Sequence, residues 1–194
     1  MRRCLWLFGV GASLLLTAAC QTRQPEPEYR PFATIKDLMD SLVDPSGDFL
    51  FDSVATIVSA AGTEERAPHT DEEWTNVRRA AIRVIEATNL LIMPGRHVAR
   101  PGEKSENPDV ELGPEQIEAL INKDRAKFTA LAHGLNDAAM LAYKAIEAKD
   151  VAGLSNAGEK MDTACENCHL TYWYPNQEEQ LKKALERQPQ DIKR

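Results

Sequence analysis

The chain has 194 residues, 43% of them hydrophobic, 27% charged and 6% aromatic, which fits one globular domain and excludes a disordered or collagen-like chain. Lys and Arg total 23 against 30 Asp and Glu, a formal net charge of −7, and no basic block is present to grip phosphates, which argues against a nucleic-acid partner. Four cysteines are too few for a disulfide scaffold, so each is read by its own surroundings.

Residues 1–19 carry Arg2 and Arg3, then an uncharged stretch from Leu5 to Leu16, then Thr17-Ala18-Ala19. That order is an export signal, too short to span a membrane and stay there. Because the small residues end at Cys20, the segment resembles the lipobox of bacterial lipoproteins, which makes Cys20 a candidate for lipidation. Ordinary cleavage after Ala19 is the alternative, and it exports the chain equally. Either way the mature chain loses two arginines and reaches a net charge of −9 on the periplasmic side. Residues 20–32, with Pro25, Pro27 and Pro31 among polar residues, read as an extended tether, and Cys4 lies in the discarded segment.

From residue 33 to 175 the apolar pattern has helical periods and no convincing strand alternation, so an all-α domain is expected. A first helix capped by Thr34 places Ile35, Leu38, Met39 and Leu42 on one face. Asp44-Pro45-Ser46-Gly47 interrupts it, and Phe49, Leu50, Val54, Ile57 and Val58 resume the pattern, which predicts a kinked or broken helix. Thr70-Asp71-Glu72-Glu73 is a capping box opening a second helix with Trp74, Val77, Ala81, Val84, Ile85, Thr88 and Leu91 on its apolar face. Gly95 to Leu112 is polar and aperiodic, a long surface loop. Pro114 starts a single helix of about nine turns whose stripe runs from Ile117 through Phe128 and Leu135 to Ala145. Asp150 caps the last helix, with Val151, Leu154, Gly158, Met161, Cys165, Cys168 and Tyr172 in a coiled-coil-like seam, where Gly158 permits close approach. Four such helices, each with one apolar face, are best satisfied by an antiparallel four-helix bundle. Residues 176–194 are polar and read as a solvated tail.

Cys165-Glu166-Asn167-Cys168-His169 is a C-x-x-C-H sequence, the attachment motif of c-type haem. At about 100° per residue the two cysteines and the histidine span an arc of about 100° on a helix, so all three can serve one porphyrin. The cysteines form thioethers with the vinyl groups and His169 is the proximal iron ligand. Rival readings are weaker. A thioredoxin-like C-x-x-C needs a βαβ setting, a zinc site needs more ligands than the scattered His69, His97 and His133 supply, and a disulfide across one helical turn is strained.

The signal segment, four helices, an early helix bearing Met39 and C-x-x-C-H on the last helix resemble the class II cytochromes c, the cytochrome c prime group and its low-spin relatives. The resemblance spans residues 33–175. It implies an antiparallel four-helix bundle with haem c near one end, its distal face against the first helix. In the low-spin members a methionine of that helix is the sixth iron ligand, and Met39 stands where that ligand would come from; in high-spin members the site is open and binds small gases. Such bundles can also form homodimers through their first two helices. The loop of residues 95–112 and the tail are longer than the family leads one to expect.

Other candidates are ordinary. Met93 sits at a helix end, His133 in mid-helix and His97 in a loop, while Met140 and Met161 read as packing residues. Tyr172-Trp173-Tyr174-Pro175 would cover the proximal side or seal the bundle end, and Pro175 stops the helix. No carboxylate pair, nucleophile dyad or phosphate loop appears, so the expected function is one-electron transfer without substrate turnover. Its expected partners are periplasmic redox proteins with a basic docking patch, with membrane contact only through a lipid on Cys20. Gas binding at an open sixth site, or a haem-bearing structural subunit of a respiratory complex, are the alternatives.

Overall fold

The computed structural model describes residues 29–177. The signal segment, Cys20, most of the tether and the tail from residue 178 lie outside the described residues. The chain is mostly helical, with one small hairpin.

Thr34 caps the first helix: its hydroxyl accepts from the Asp37 amide at 3.0 Å, and the Asp37 carboxylate accepts from the Thr34 amide at 2.9 Å. α1 covers Ile35–Leu38, a π-helical turn follows at Met39–Val43, and α2 covers Asp44–Asp52. Of the kinked or broken helix expected at Asp44-Pro45-Ser46-Gly47, the broken form is not found. Pro45 has no N–H and its ring crowds the carbonyl four residues earlier. The widened turn absorbs this, with the Asp44 amide donating five residues back to the Met39 carbonyl, so helix runs from 35 to 52 without a gap.

The expectation that Ile57 and Val58 continue this helix, and that strands are absent, is overturned. β1 (Thr56–Ser59) and β2 (Gly62–Glu65) pair antiparallel, with Thr56 opposite Glu65 and Ser59 opposite Gly62. Thr56, Ile57 and Val58 are consecutive β-branched residues, stiff in a helix and at ease in a strand. Gly62, at φ +132°, supplies a backbone conformation that L side chains rarely adopt. The hairpin is surface structure, since Val58 is 77% exposed.

α3 (Asp71–Leu91) opens on the expected box, with Glu73 accepting from the Thr70 and His69 amides. Its buried face holds Trp74, Val77, Ala81, Val84, Thr88 and Leu91 as predicted, together with Ala80 and Ala87. Two arginines collect the carbonyls at its C-terminal end. Arg96 donates to Leu90 O, and also to Ala33 O, while Arg125 reaches Ile92 O and Met93 O.

The segment from Gly95 to Leu112 is irregular but not loose. The Ile35 and Lys36 amides donate to His97 O and Val98 O, each at 2.9 Å, and the Leu112 amide donates to Trp173 O at 2.7 Å. Val98 is only 3% exposed. The loop is thus tied to the start of the first helix and the end of the last.

The single long helix expected after Pro114 is divided in two: α4 is Pro114–Lys123 and α5 is Arg125–Glu147. Asp124, at φ −139° and ψ 71°, leaves the helical region and its carboxylate caps α5 through the Lys127 amide at 3.0 Å. α6 (Val151–Tyr172) follows a three-residue link and is capped by Asp150. Of its expected seam, Val151 is exposed at the helix start, while Leu154, Met161 and Tyr172 are buried. Gly158 faces the Phe51 ring, with room for a Cβ at 3.5 Å.

α5 packs along α6 and against α3, and the first helix lies on α3 and α6. One apolar cluster is built on small residues of α3 and α5, among them Ala80, Ala81, Ala139 and Ala142, all fully buried. A second surrounds Ile35, Ile121, Phe128 and Tyr172, and Met39 and Leu42 touch both. Asn136 bridges α5 to α3 by donating to Ile85 O and Thr88 Oγ1. Among the described residues no helix is long and apolar enough to cross a membrane.

Candidate cofactor site

The last two turns of α6 bring Cys165, Cys168 and His169 to one side of the helix. They line a cavity of about 350 Å³ that Met39 reaches from the π-turn of the first helix. Its walls are apolar: Val43 and Phe51 from the first helix, Val84 and Leu91 from α3, Phe128, Leu131 and Leu135 from α5, and Met161 from α6. Gly47, Ala132 and Ala164 widen it by contributing little side chain. Asp44 and Asp48 are the charged side chains on this wall. A space of this size with apolar walls and a few convergent polar groups has the character of a cofactor site.

Both cysteines are free thiols, half-buried. Burial, reinforced by the carboxylates of Asp44, Asp162 and Glu166, pushes the Cys165 thiol up to about 11. Burial and the neighbouring Cys165 push Cys168 up to about 12. At neutral pH both are protonated, unlike the thiolates of redox-active or zinc-binding cysteines. Among the described residues no three His, Cys, Asp or Glu side chains converge as a metal-ion cage. A porphyrin iron asks less of the protein, because four of its ligands are its own.

His169 is held by rings rather than by hydrogen bonds. Its carbonyl accepts from the Trp173 amide at 2.8 Å and the Tyr174 amide at 3.1 Å, which ends the helix and folds both side chains back. The imidazole then lies 5.7 Å from the Trp173 ring and 5.9 Å from the Tyr174 ring, centroid to centroid. Tyr174 is itself fixed by donating to Glu166 at 2.8 Å. Burial, with that bond, raises the Tyr174 phenol above its usual range. No hydrogen bond to the His169 ring nitrogens is present among the described residues, so a nitrogen is open to a metal. Asp44 has its carboxyl raised by burial against the opposing pull of His169, although part of the residue reaches solvent.

A smaller cavity of about 170 Å³ adjoins, sharing Met39, Asp44 and His169 with the first. Its other walls are mixed: the polar Lys104, Ser105, Glu106 and Glu111 of the loop and Lys36 and Asp40 of the first helix stand beside apolar Val98, Leu112, Ile117 and Trp173. Lys36 holds the loop through Glu106. Sequence reasoning missed this contribution. The buried Val98 and the half-buried Leu112, apolar residues in a polar stretch, are the signal that the loop docks.

The structure separates the other candidates from the cavity. The Met93 sulfur accepts from Arg96 at 3.5 Å, and Met93 does not line the cavity. His97 is exposed and paired with Glu118 at 2.9 Å, and His133 is exposed on α5. Met140 does not line the cavity, whereas Met161 does, as a fully buried wall residue one turn before Cys165. Tyr172 is buried with its ring edge-on to Phe128 at 5.6 Å. Comparison with family models, with curated proteins and with solved structures finds no match to this chain.

Proposed function

We propose that this protein is an exported c-type cytochrome that carries one covalent haem c and transfers single electrons between periplasmic redox partners. The observation that carries the reading is the meeting of Cys165, Cys168 and His169 with the Met39 thioether at one apolar cavity. The sequence motif alone required the first three to be neighbours; Met39 arrives from 126 positions away in the chain.

In this reading the helix from residue 35 to 52, α3, α5 and α6 form the antiparallel four-helix bundle of the class II cytochromes c, with the haem at the end where α6 terminates. Cys165 and Cys168 hold it by thioether bonds and His169 is the proximal ligand of the iron. Bound there, the haem supplies a one-electron iron couple. Met39 is the sixth ligand and, as a poor donor to ferric iron, favours the reduced state relative to a second histidine. Trp173 and Tyr174 fix the imidazole plane, and the apolar walls keep bulk water from the iron. The net negative charge, with Asp44 and Asp48 at the cavity and Asp162 and Glu166 beside Cys165, fits a partner with a basic docking face, an encounter that salt weakens. Cys20 would hold the protein at the membrane if it is lipidated.

The deciding experiment is the absorption spectrum, oxidised and reduced, of protein matured in a host that attaches haem c, beside a Met39→Ala variant. A low-spin spectrum with the weak methionine-to-iron charge-transfer band, lost in the variant, is expected. A high-spin spectrum that shifts with carbon monoxide or nitric oxide and ignores the variant would move the protein to gas binding. No covalent haem would overturn both readings.

A further inference from the structure

The π-turn lies where the proposed iron ligand does, and the angular arithmetic of the helix gives it a purpose. In an uninterrupted α-helix each residue turns by about 100°, so Val43, Asp44, Gly47, Asp48 and Phe51 would centre about 110° away from the direction of Met39. Yet all six line the same cavity. The π-turn at Met39–Val43 inserts one residue without advancing the helix, which takes back about 100° and brings Met39 onto the face of the others. An α-helical Met39 would point away from the cavity by roughly a quarter turn or more.

Pro45 is the residue that maintains this geometry. In an α-helix its amide position would bond to the Ser41 carbonyl, but proline offers no N–H and its ring collides with that carbonyl. The wider turn removes the conflict, and the Asp44 amide bonds to Met39 O instead. Ser41 itself is exposed, its hydroxyl turned back onto the Asp37 carbonyl, so the extra residue adds nothing to the apolar core. π-Turns inside α-helices are rare and frequently mark functional sites.

We infer that Pro45, by imposing the π-turn, is a positioning residue that aims the Met39 thioether into the Cys165, Cys168 and His169 cavity. The inference rests on the reading of that cavity as a haem site with Met39 as sixth ligand. It assigns a function to the Pro45 segment that the sequence pattern marks only as a helix interruption.

The test compares three full-length proteins matured with haem: the natural chain, Pro45→Ala, and Pro45→Ala with Ser41 deleted. The readouts are the methionine-to-iron charge-transfer band per haem and far-ultraviolet circular dichroism. Pro45→Ala restores an amide that can bond Ser41 O, so the turn can contract to α-helix and carry Met39 aside. The band is expected to fall at least twofold with helix content kept. Deleting Ser41 as well places Met39 and Asp44 four apart, on one face of a plain α-helix, and the band is expected to return. An undiminished band in Pro45→Ala overturns the proposal. So does loss of helical dichroism in that variant, which would make Pro45 a residue of the fold alone, and so does a folded double variant that fails to regain the band. The natural chain's own spectrum separates the two levels. If it lacks the band, the reading of Met39 as ligand fails and the proposal falls with it; if it shows the band, the variants judge Pro45 alone.

Discussion

Two stretches of α5, seven residues apart on one face, behave in opposite ways. Around Ala139 the helix meets α3 through Ala80, Ala81 and Ala142, small side chains with no exposed surface. Around Ala132 the neighbours are large, among them Phe128, Leu131 and Leu135, and they stand back from a space of about 350 Å³. Small side chains let backbones approach, whereas large ones across an alanine-sized gap leave a chamber. The packed end is held by apolar contact, and the chamber end needs other means. The same substitution at both places breaks the comparison or sharpens it. Ala139→Leu overpacks a closed seam and should cost about 1–3 kcal/mol, seen as a lower melting temperature. Ala132→Leu has the chamber to grow into and should cost less than about 1 kcal/mol in the haem-free chain, while hindering attachment of the proposed haem. Equal thermal losses would mean that the two regions do not differ.

The chamber end is tied by polar groups, and the buried Arg96 is one of them. The residue is 8% exposed and has no carboxylate partner among the described residues; its guanidinium donates to Leu90 O and Ala33 O and so joins the end of α3 to the entry of the first helix. Burial lowers its affinity for the proton, yet arginine stays charged at any ordinary pH. Arg96→Met keeps the bulk and leaves two carbonyls unpaired, a loss of about 1–3 kcal/mol, read as a lower urea midpoint. A haem-free variant as stable as the natural chain would show that the chamber end is held by packing after all.

Glu118 gives the same end a dependence on pH. Burial works to raise its carboxyl, but the Val98 amide at 3.1 Å and His97 more than offset this, and the folded value lies below the ordinary one. A lowered carboxylate stabilises the fold fully above the unfolded pKa, near 4.3, and the stabilisation disappears as pH falls through the folded value. Stability measured from pH 6 downward should therefore decline below about pH 4. Glu118→Gln should flatten that decline, and an unchanged slope would place the acid sensitivity elsewhere, for example at Glu73 in the α3 capping box, whose carboxyl the Thr70 amide and then the His69 amide lower.

The packed end was also the more legible in sequence. The apolar face of α3, its capping box and the stripe of α5 follow from spacing, because small and branched apolar residues at helical intervals have few other uses. Ala80 and Ala87 escaped because alanine is nearly silent in such patterns. At the chamber end, spacing alone brought Cys165, Cys168 and His169 together, since they share one helix end. That Met39 lines the same cavity is a matter of tertiary structure, which periodicity could not reach. Pro45 read as an interruption because a proline signals the missing bond and not the turn that accommodates it. Asp124 hid for a similar reason: its side chain competes for a backbone amide inside an unbroken apolar stripe, and the stripe is the louder signal. The hairpin at Thr56–Glu65 was overlooked because Ile57 and Val58 also continue the helical spacing of Phe49, Leu50 and Val54.

The smallest effect belongs to the link between α5 and α6, beyond the packed end. Lys149 has φ +51°, the left-handed conformation that costs an L residue about 1–2 kcal/mol. Two bonds hold it there: its amide donates to Ile146 O at 3.0 Å, and the next amide, of Asp150, donates to Ala145 O at 2.9 Å, the paired bonds of a Schellman ending. Glycine occupies that position without penalty, but Lys149→Gly also removes the exposed ion pair with Asp71, which offsets part of the gain. The net gain should be about 0.5 kcal/mol, or a rise of about 1–2 °C in melting temperature. Lys149→Ala separates the two contributions, since it loses the pair and keeps the strained backbone. The glycine variant should therefore melt above the alanine variant by more than it exceeds the natural chain. Because this end of the molecule shares no wall with the chamber, both variants should leave the spectrum of the proposed haem unchanged. A spectral shift in either would show that the two ends, so differently built, are mechanically coupled along α6.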